Sequence, residues 1–127
     1  MLKRLKKDYK IALVTDGLAA VQKRKVKALK IKDFFDCMMY TDDFKKPKPS
    51  PFAFKKIASL FKVPLKNMIY IADDPNKDFI GARRLGMVTL RVKQGRFSDL
   101  ELGKSYQADY EMNTILETEK LLRSIDF

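Results

Sequence analysis

The chain predicts an α/β fold, a parallel sheet flanked by helices, on three observations. Short continuous apolar runs recur along it, helix-forming segments separate them, and the runs end on polar or acidic residues. Parallel neighbours need a crossover connection, which the intervening helical segments supply. In sheets of this kind ligands bind beyond the carboxyl ends of the strands, so the residues that follow each run are where chemistry is expected.

The elements follow in order. Ile11 to Val14 is an apolar run between Lys10 and Thr15, the pattern of a strand buried on both faces, and Gly17 permits the turn after it. From Leu18 to Leu29 the residues Leu18, Val21, Ala28 and Leu29 recur at helical spacing, with Lys23, Arg24, Lys27 and Lys30 on the solvated side. Phe34 to Tyr40 reads as a second strand, and Thr41 to Pro49 as a lysine-rich loop closed by prolines. Ser50 followed by Pro51 starts a helix, because Ser accepts a first-turn amide bond and Pro lacks a donor that would be orphaned there. Phe52, Ile57, Leu60 and Phe61 form its apolar stripe, and Pro64 ends it. Met68 to Ala72 is a strand that delivers Asp73 and Asp74 at its carboxyl end. A helix from Asn76 to Leu85 ends at Gly86, Val88 to Val92 is a strand, and a last helix starts near Asn113.

At 127 residues, 46% hydrophobic and 34% charged, the chain has material for one core, and 1–127 reads as a single domain. No apolar run approaches the roughly 20 residues that span a bilayer, so no membrane association is expected and the expected address is cytoplasmic. The single Cys37 stands among Phe34, Phe35, Met38 and Met39, the setting of an inert packed thiol. Histidine is absent, which removes Ser-His, Cys-His and His-ligated zinc chemistry and leaves carboxylates, lysines and hydroxyls. The net charge of +11 favours phosphorylated or polyanionic partners without choosing among them.

Asp73, Asp74 and Asp78 crowd one loop, where unpaired carboxylates repel. A bound cation or a basic partner relieves that repulsion; capping of the next helix is the plainer alternative. Thr15, Asp16 and Gly17 follow the first strand, and Lys45, Lys46 and Lys48 lie in the loop before the Ser-Pro helix start. No Asp-x-Asp pair occurs anywhere in the chain.

The ordered set VTDG, KKPKPSPF and YIADDPNKDFIGARRLGM resembles the haloacid dehalogenase superfamily of phosphatases and related hydrolases, over Ile11 to Val92. The resemblance implies a three-layer Rossmann-like core, here truncated and without a cap domain. It implies a phosphate-binding turn at Thr15, Asp16 and Gly17. Thr15 would be the phosphate-binding hydroxyl and Lys46 the positive charge on the phosphoryl oxygens, both catalytic, with Lys48 second to Lys46. It implies magnesium as cofactor, with Asp73 the first metal acid, Asp78 the second, and Asp74 replacing a small polar residue. In that family a nucleophilic Asp and a second Asp two places later precede the threonine motif; here only MLKRLKKDYK precedes Ile11. The missing strand is expected either to be closed over, with the Ile11 and Met68 strands pairing directly, or to be supplied by a second chain or by self-association. The functional expectation is a phosphatase-type domain with a phosphate and Mg2+ pocket, taking a phosphorylated small molecule and weak or inactive by itself. A noncatalytic phosphate- or partner-binding module is the alternative. Nucleic-acid binding through Lys3, Arg4, Lys6, Lys7, Lys23, Arg24, Lys25 and Lys27 ranks last, because no recognition motif accompanies the charge.

Overall fold

A computed structural model describes residues 1–125 and divides the chain into two compact units, Met1–Phe61 and Lys62–Phe127. Each is a piece of α/β structure whose strand pairs are all parallel.

In the first unit a short helix α1 (Leu2–Leu5) precedes strand β1 (Ala12–Thr15), helix α2 (Ala19–Leu29), strand β2 (Cys37–Tyr40) and helix α3 (Phe52–Phe61). α2 ends at Leu29, as expected, and Lys30 after it turns into the left-handed region at φ 54°. β2 is shorter than the expected Phe34–Tyr40. Lys32–Phe34 forms a 3₁₀ turn instead, and Asp36 locks its end by exchanging bonds with Ile11, amide to carbonyl at 2.7 Å and carboxylate to amide at 2.8 Å. α3 begins as expected: the Ser50 hydroxyl accepts the Phe52 amide at 3.3 Å, and the Pro51 carbonyl takes the Lys55 amide. Its stripe of Ala53, Phe54 and Ile57 is buried, whereas Leu60, expected in that stripe, is exposed. β1 and β2 pair in register from Ala12 with Cys37 to Thr15 with Tyr40. The residues that leave the two strands, Asp16 and Thr41, are therefore neighbours.

In the second unit the strands β3 (Ile69–Ala72), β4 (Val88–Val92) and β5 (Tyr110–Met112) lie in that order, with helix α4 (Phe79–Arg84) between β3 and β4 and helix α5 (Thr118–Ser124) after β5. Leu90, Val92, Met112 and Ile125 form its core, with Ile69, Ile71, Val88 and Leu121 packed on them. α4 is shorter than the expected Asn76–Leu85, because residues 74–78 are folded into a side-chain-bonded turn. Gly86 ends it at φ 81°, as expected. β5 escapes the sequence pattern: Tyr110 and Glu111 are exposed and only Met112 is buried.

The strands form two separate sheets, β1–β2 and β3–β4–β5, so the direct pairing expected of the strands carrying Thr15 and Asp73 is not found among the described residues. β1 pairs instead with β2 and β3 with β4, each across a single helical crossover, and β4 pairs with β5 across a segment of 3₁₀ turns. That local closure costs less chain entropy than a ladder between segments far apart in sequence. No helical cap is inserted among the described residues, and none of the described helices is long and apolar enough to cross a membrane.

Candidate functional site

In the first unit the site residues gather at the carboxyl ends of β1 and β2. Thr15 closes β1, and Gly17 makes the turn into α2 at φ 87°, where a Cβ would also meet the Gln22 amide nitrogen at 3.1 Å. The buried Thr41 hydroxyl lies 2.6 Å from Asp16 Oδ1 and 3.2 Å from the Thr15 carbonyl. Its single proton serves the shorter, charge-assisted contact best. Asp16 Oδ1 also accepts the Lys48 amide at 3.2 Å, and the Thr41 carbonyl accepts the Lys46 amide at 3.2 Å. The lysine loop is thus tied to the end of β1 through Lys48 and to the end of β2 through Lys46. Lys46 is exposed, and its ammonium has no ion pair among the described residues. The neighbouring Lys45, by contrast, is held by Asp42 at 2.9 Å.

Asp42 occupies the amino end of α2, where its Oδ2 accepts the Ala19 amide at 3.0 Å. That bond, helped by Lys45, holds the Asp42 carboxyl below the ordinary carboxylate value. Cys37, in β2, is half-buried, and burial pushes its thiol upward against the pull of Lys56, the behaviour of an inert packed cysteine.

In the second unit β3 delivers three carboxylates with different surroundings. Asp74 Oδ1 accepts the Asn76 amide at 3.0 Å and its side-chain Nδ2 at 2.9 Å, an Asx turn. Asp78 Oδ2 accepts the Asp74 amide at 3.0 Å, and its Oδ1 accepts the Tyr70 hydroxyl at 3.3 Å. Both side chains are buried and hold the loop together. Asp73 is exposed and faces an open cleft of about 350 Å³, lined also by Ile71, Val92, Gln94, Gly95 and Ile115. Among the described residues no three His, Cys, Asp or Glu side chains are grouped to hold a metal ion.

Three contributors escaped the sequence reading. Thr41 reads as a loop residue, although its position after an apolar run repeats that of Thr15. Arg91 is almost fully buried in β4 and donates to the carbonyls of Phe97 at 3.0 Å and Leu100 at 2.6 Å, holding the segment that carries Gly95. Its Nε is buried without a partner among the described residues. A charge inside the run VTLRV was the available signal, since arginine is rarely buried unless it is bonded. Gln94 borders the cleft, and its Oε1 accepts the Ile115 amide at 2.9 Å.

The fold is that of a hydrolase family. Residues 1–92 match the model of the haloacid dehalogenase-like hydrolases, and the chain belongs to that family. It is 35% identical over 126 residues to a glyceraldehyde 3-phosphate phosphatase of Pyrococcus furiosus, covering 98% of this chain and 51% of that protein. It is 29% identical over 128 residues to mouse N-acylneuraminate-9-phosphatase, covering 99% and 50%. Among solved structures, a HAD phosphatase from Thermococcus onnurineus superposes with TM-score 0.81 at 30% identity, over 95% of this chain and 54% of that one. The chain spans about half the length of the curated relatives it matches.

Proposed function

We propose that this chain is the phosphate- and cation-binding portion of a phosphatase of this family, and that the 127-residue chain by itself binds phosphate but turns over phosphate esters poorly or not at all. The observation that carries the reading is the tie between the Lys46 loop and the end of β1. The loop that carries the unpaired Lys46 ammonium is bonded through Lys48 and Thr41 to Asp16, next to the Thr15 hydroxyl and the Gly17 turn. Charge distribution supports it, since residues 1–61 hold 16 of the 27 basic but only 6 of the 16 acidic side chains.

The division of roles follows from donor chemistry. Thr15 and Lys46 donate to phosphate oxygens, and Gly17 lets the backbone approach. A carboxylate cannot donate, so Asp16 contributes through its amide while its side chain holds the loop. For the cation, Asp73 offers a hard-oxygen ligand, and Asp78 would orient a water bound to it. Such a set fits magnesium, which keeps most of its waters and takes one or two carboxylates. Asp74 serves the turn. When bound, the ion would supply Lewis-acid chemistry. We include in this proposal the reading of 1–127 as one core domain and a phosphorylated small molecule, such as the phosphate esters named for the relatives, as ligand.

The missing turnover follows from the absence of an Asp-x-Asp pair, the source of the family's nucleophile and general acid, from these 127 residues. A strand supplied by a second polypeptide or by self-association would restore it. The test is titration of the chain with inorganic phosphate followed by ³¹P NMR. Saturable binding that weakens about tenfold or more in Lys46→Met is expected, the value of one charge-assisted bond. Absence of binding, or binding indifferent to Lys46, refutes the reading.

A further inference from the structure

We propose that Thr41 is a positioning residue for the phosphate site, setting the Lys46 loop against the end of β1 through one hydroxyl and one carbonyl; the inference rests on the phosphate reading above. Three observations converge on this side chain. It is 1% exposed, so its hydroxyl has no water to fall back on. Its oxygen lies within hydrogen-bond distance of both Asp16 Oδ1, at 2.6 Å, and the Thr15 carbonyl, at 3.2 Å. Its own carbonyl accepts the Lys46 amide, while Asp16 Oδ1 reaches past it to the Lys48 amide. The parallel register makes this geometry unavoidable, since Thr15 and Tyr40 are partners and the next residues of both strands face one another.

The arrangement defines a chain of control. The Thr41 hydroxyl and the Lys48 amide share the Asp16 carboxylate, which orients it away from an incoming anion and satisfies its charge locally. Without the hydroxyl, Asp16 keeps only the Lys48 amide of these two donors. The carboxylate then loses the 2.6 Å bond that fixes it to the end of β2, and the loop that begins at Thr41 loses its side-chain tie to the end of β1, while the amide bonds of Lys46 and Lys48 remain. Both effects lower phosphate affinity without altering a group that touches phosphate. Serine retains the hydroxyl and should suffice; valine keeps the shape and removes the donor.

The experiment measures inorganic phosphate affinity by ³¹P NMR for the full chain and for Thr41→Val, Thr41→Ser, Lys46→Met and Thr118→Val. Thr118 is equally buried, and its hydroxyl donates to the Ile115 carbonyl at 2.6 Å in the second unit, so it controls for the loss of a buried hydroxyl as such. The expected result is a roughly fivefold loss in Thr41→Val, recovery in Thr41→Ser, and wild-type affinity in Thr118→Val. If the chain binds phosphate through Lys46 but Thr41→Val binds as wild type, the positioning role is wrong and the phosphate reading survives. If the wild-type chain binds no phosphate, both fall. Should Thr41→Val fail to fold, amide shifts of the wild-type chain decide: phosphate must move the Thr41 and Lys48 amides together with that of Lys46, and stillness at Thr41 and Lys48 overturns the role.

Discussion

At the residue scale, carboxylates of similar sequence context carry out different work, and their partners separate them. Asp16, Asp74 and Asp78 accept backbone amides and side-chain donors and so hold loops, whereas Asp73 faces the cleft. Replacing Asp78 by Ala would remove the acceptor of the Asp74 amide and an acceptor of the Tyr70 hydroxyl. A stability loss of about 2 kcal/mol is expected, smaller in Asp78→Asn, and urea unfolding checks it. Asp42 gives a pH-dependent prediction. Its carboxyl titrates below its ordinary value because the Ala19 amide, and then Lys45, favour the ionised form. The stability it contributes is therefore fully present above the unfolded carboxylate value of about 4 and is lost as pH falls below that through the lower folded value. Comparing thermal melts from neutral to acid pH, Asp42→Asn should melt below wild type at neutral pH, and the gap should narrow in acid. A constant gap at all pH values would exclude this role.

At the element scale, much of the secondary structure was legible because periodicity and punctuation agree. Apolar runs gave β1, β3 and β4; Ser50–Pro51 gave the start of α3; Gly86 gave the end of α4. What stayed hidden depends on contacts that composition does not display. β2 shortens because Asp36 bonds Ile11, α4 loses its first turn to the Asp74–Asp78 loop, and β5 is an edge strand with one buried residue. The candidate site divides the same way. Strand-end position singled out Thr15 and Asp73 as candidates and the proline pattern after it singled out Lys46, whereas Thr41 and Arg91 act through hydrogen bonds that no motif announces. In β4, Leu90 is wholly buried at the centre of the second core, so Leu90→Ala should cost about 2–5 kcal/mol in chemical unfolding.

At the scale of the whole molecule, the chain joins two parallel α/β units and belongs to the haloacid dehalogenase-like hydrolases, at about half the length of its curated relatives. Its charge is uneven, with the basic excess concentrated in residues 1–61. The proposed phosphate site would use Lys46 but not the cations of α2, which lie on a largely exposed helix with one buried residue, Val26. Solvated charge of that kind predicts little retention on DNA or RNA at physiological salt, and strong salt-dependent retention would reopen the nucleic-acid reading. The central claim is that the chain keeps the phosphate-binding residues of a phosphatase without the group that attacks phosphorus. Its most direct test is magnesium-dependent turnover of p-nitrophenyl phosphate by a sample whose phosphate binding has been verified. Turnover no faster than that of Asp73→Ala is the predicted result; magnesium-dependent hydrolysis by the chain alone, abolished in Asp73→Ala, would contradict it.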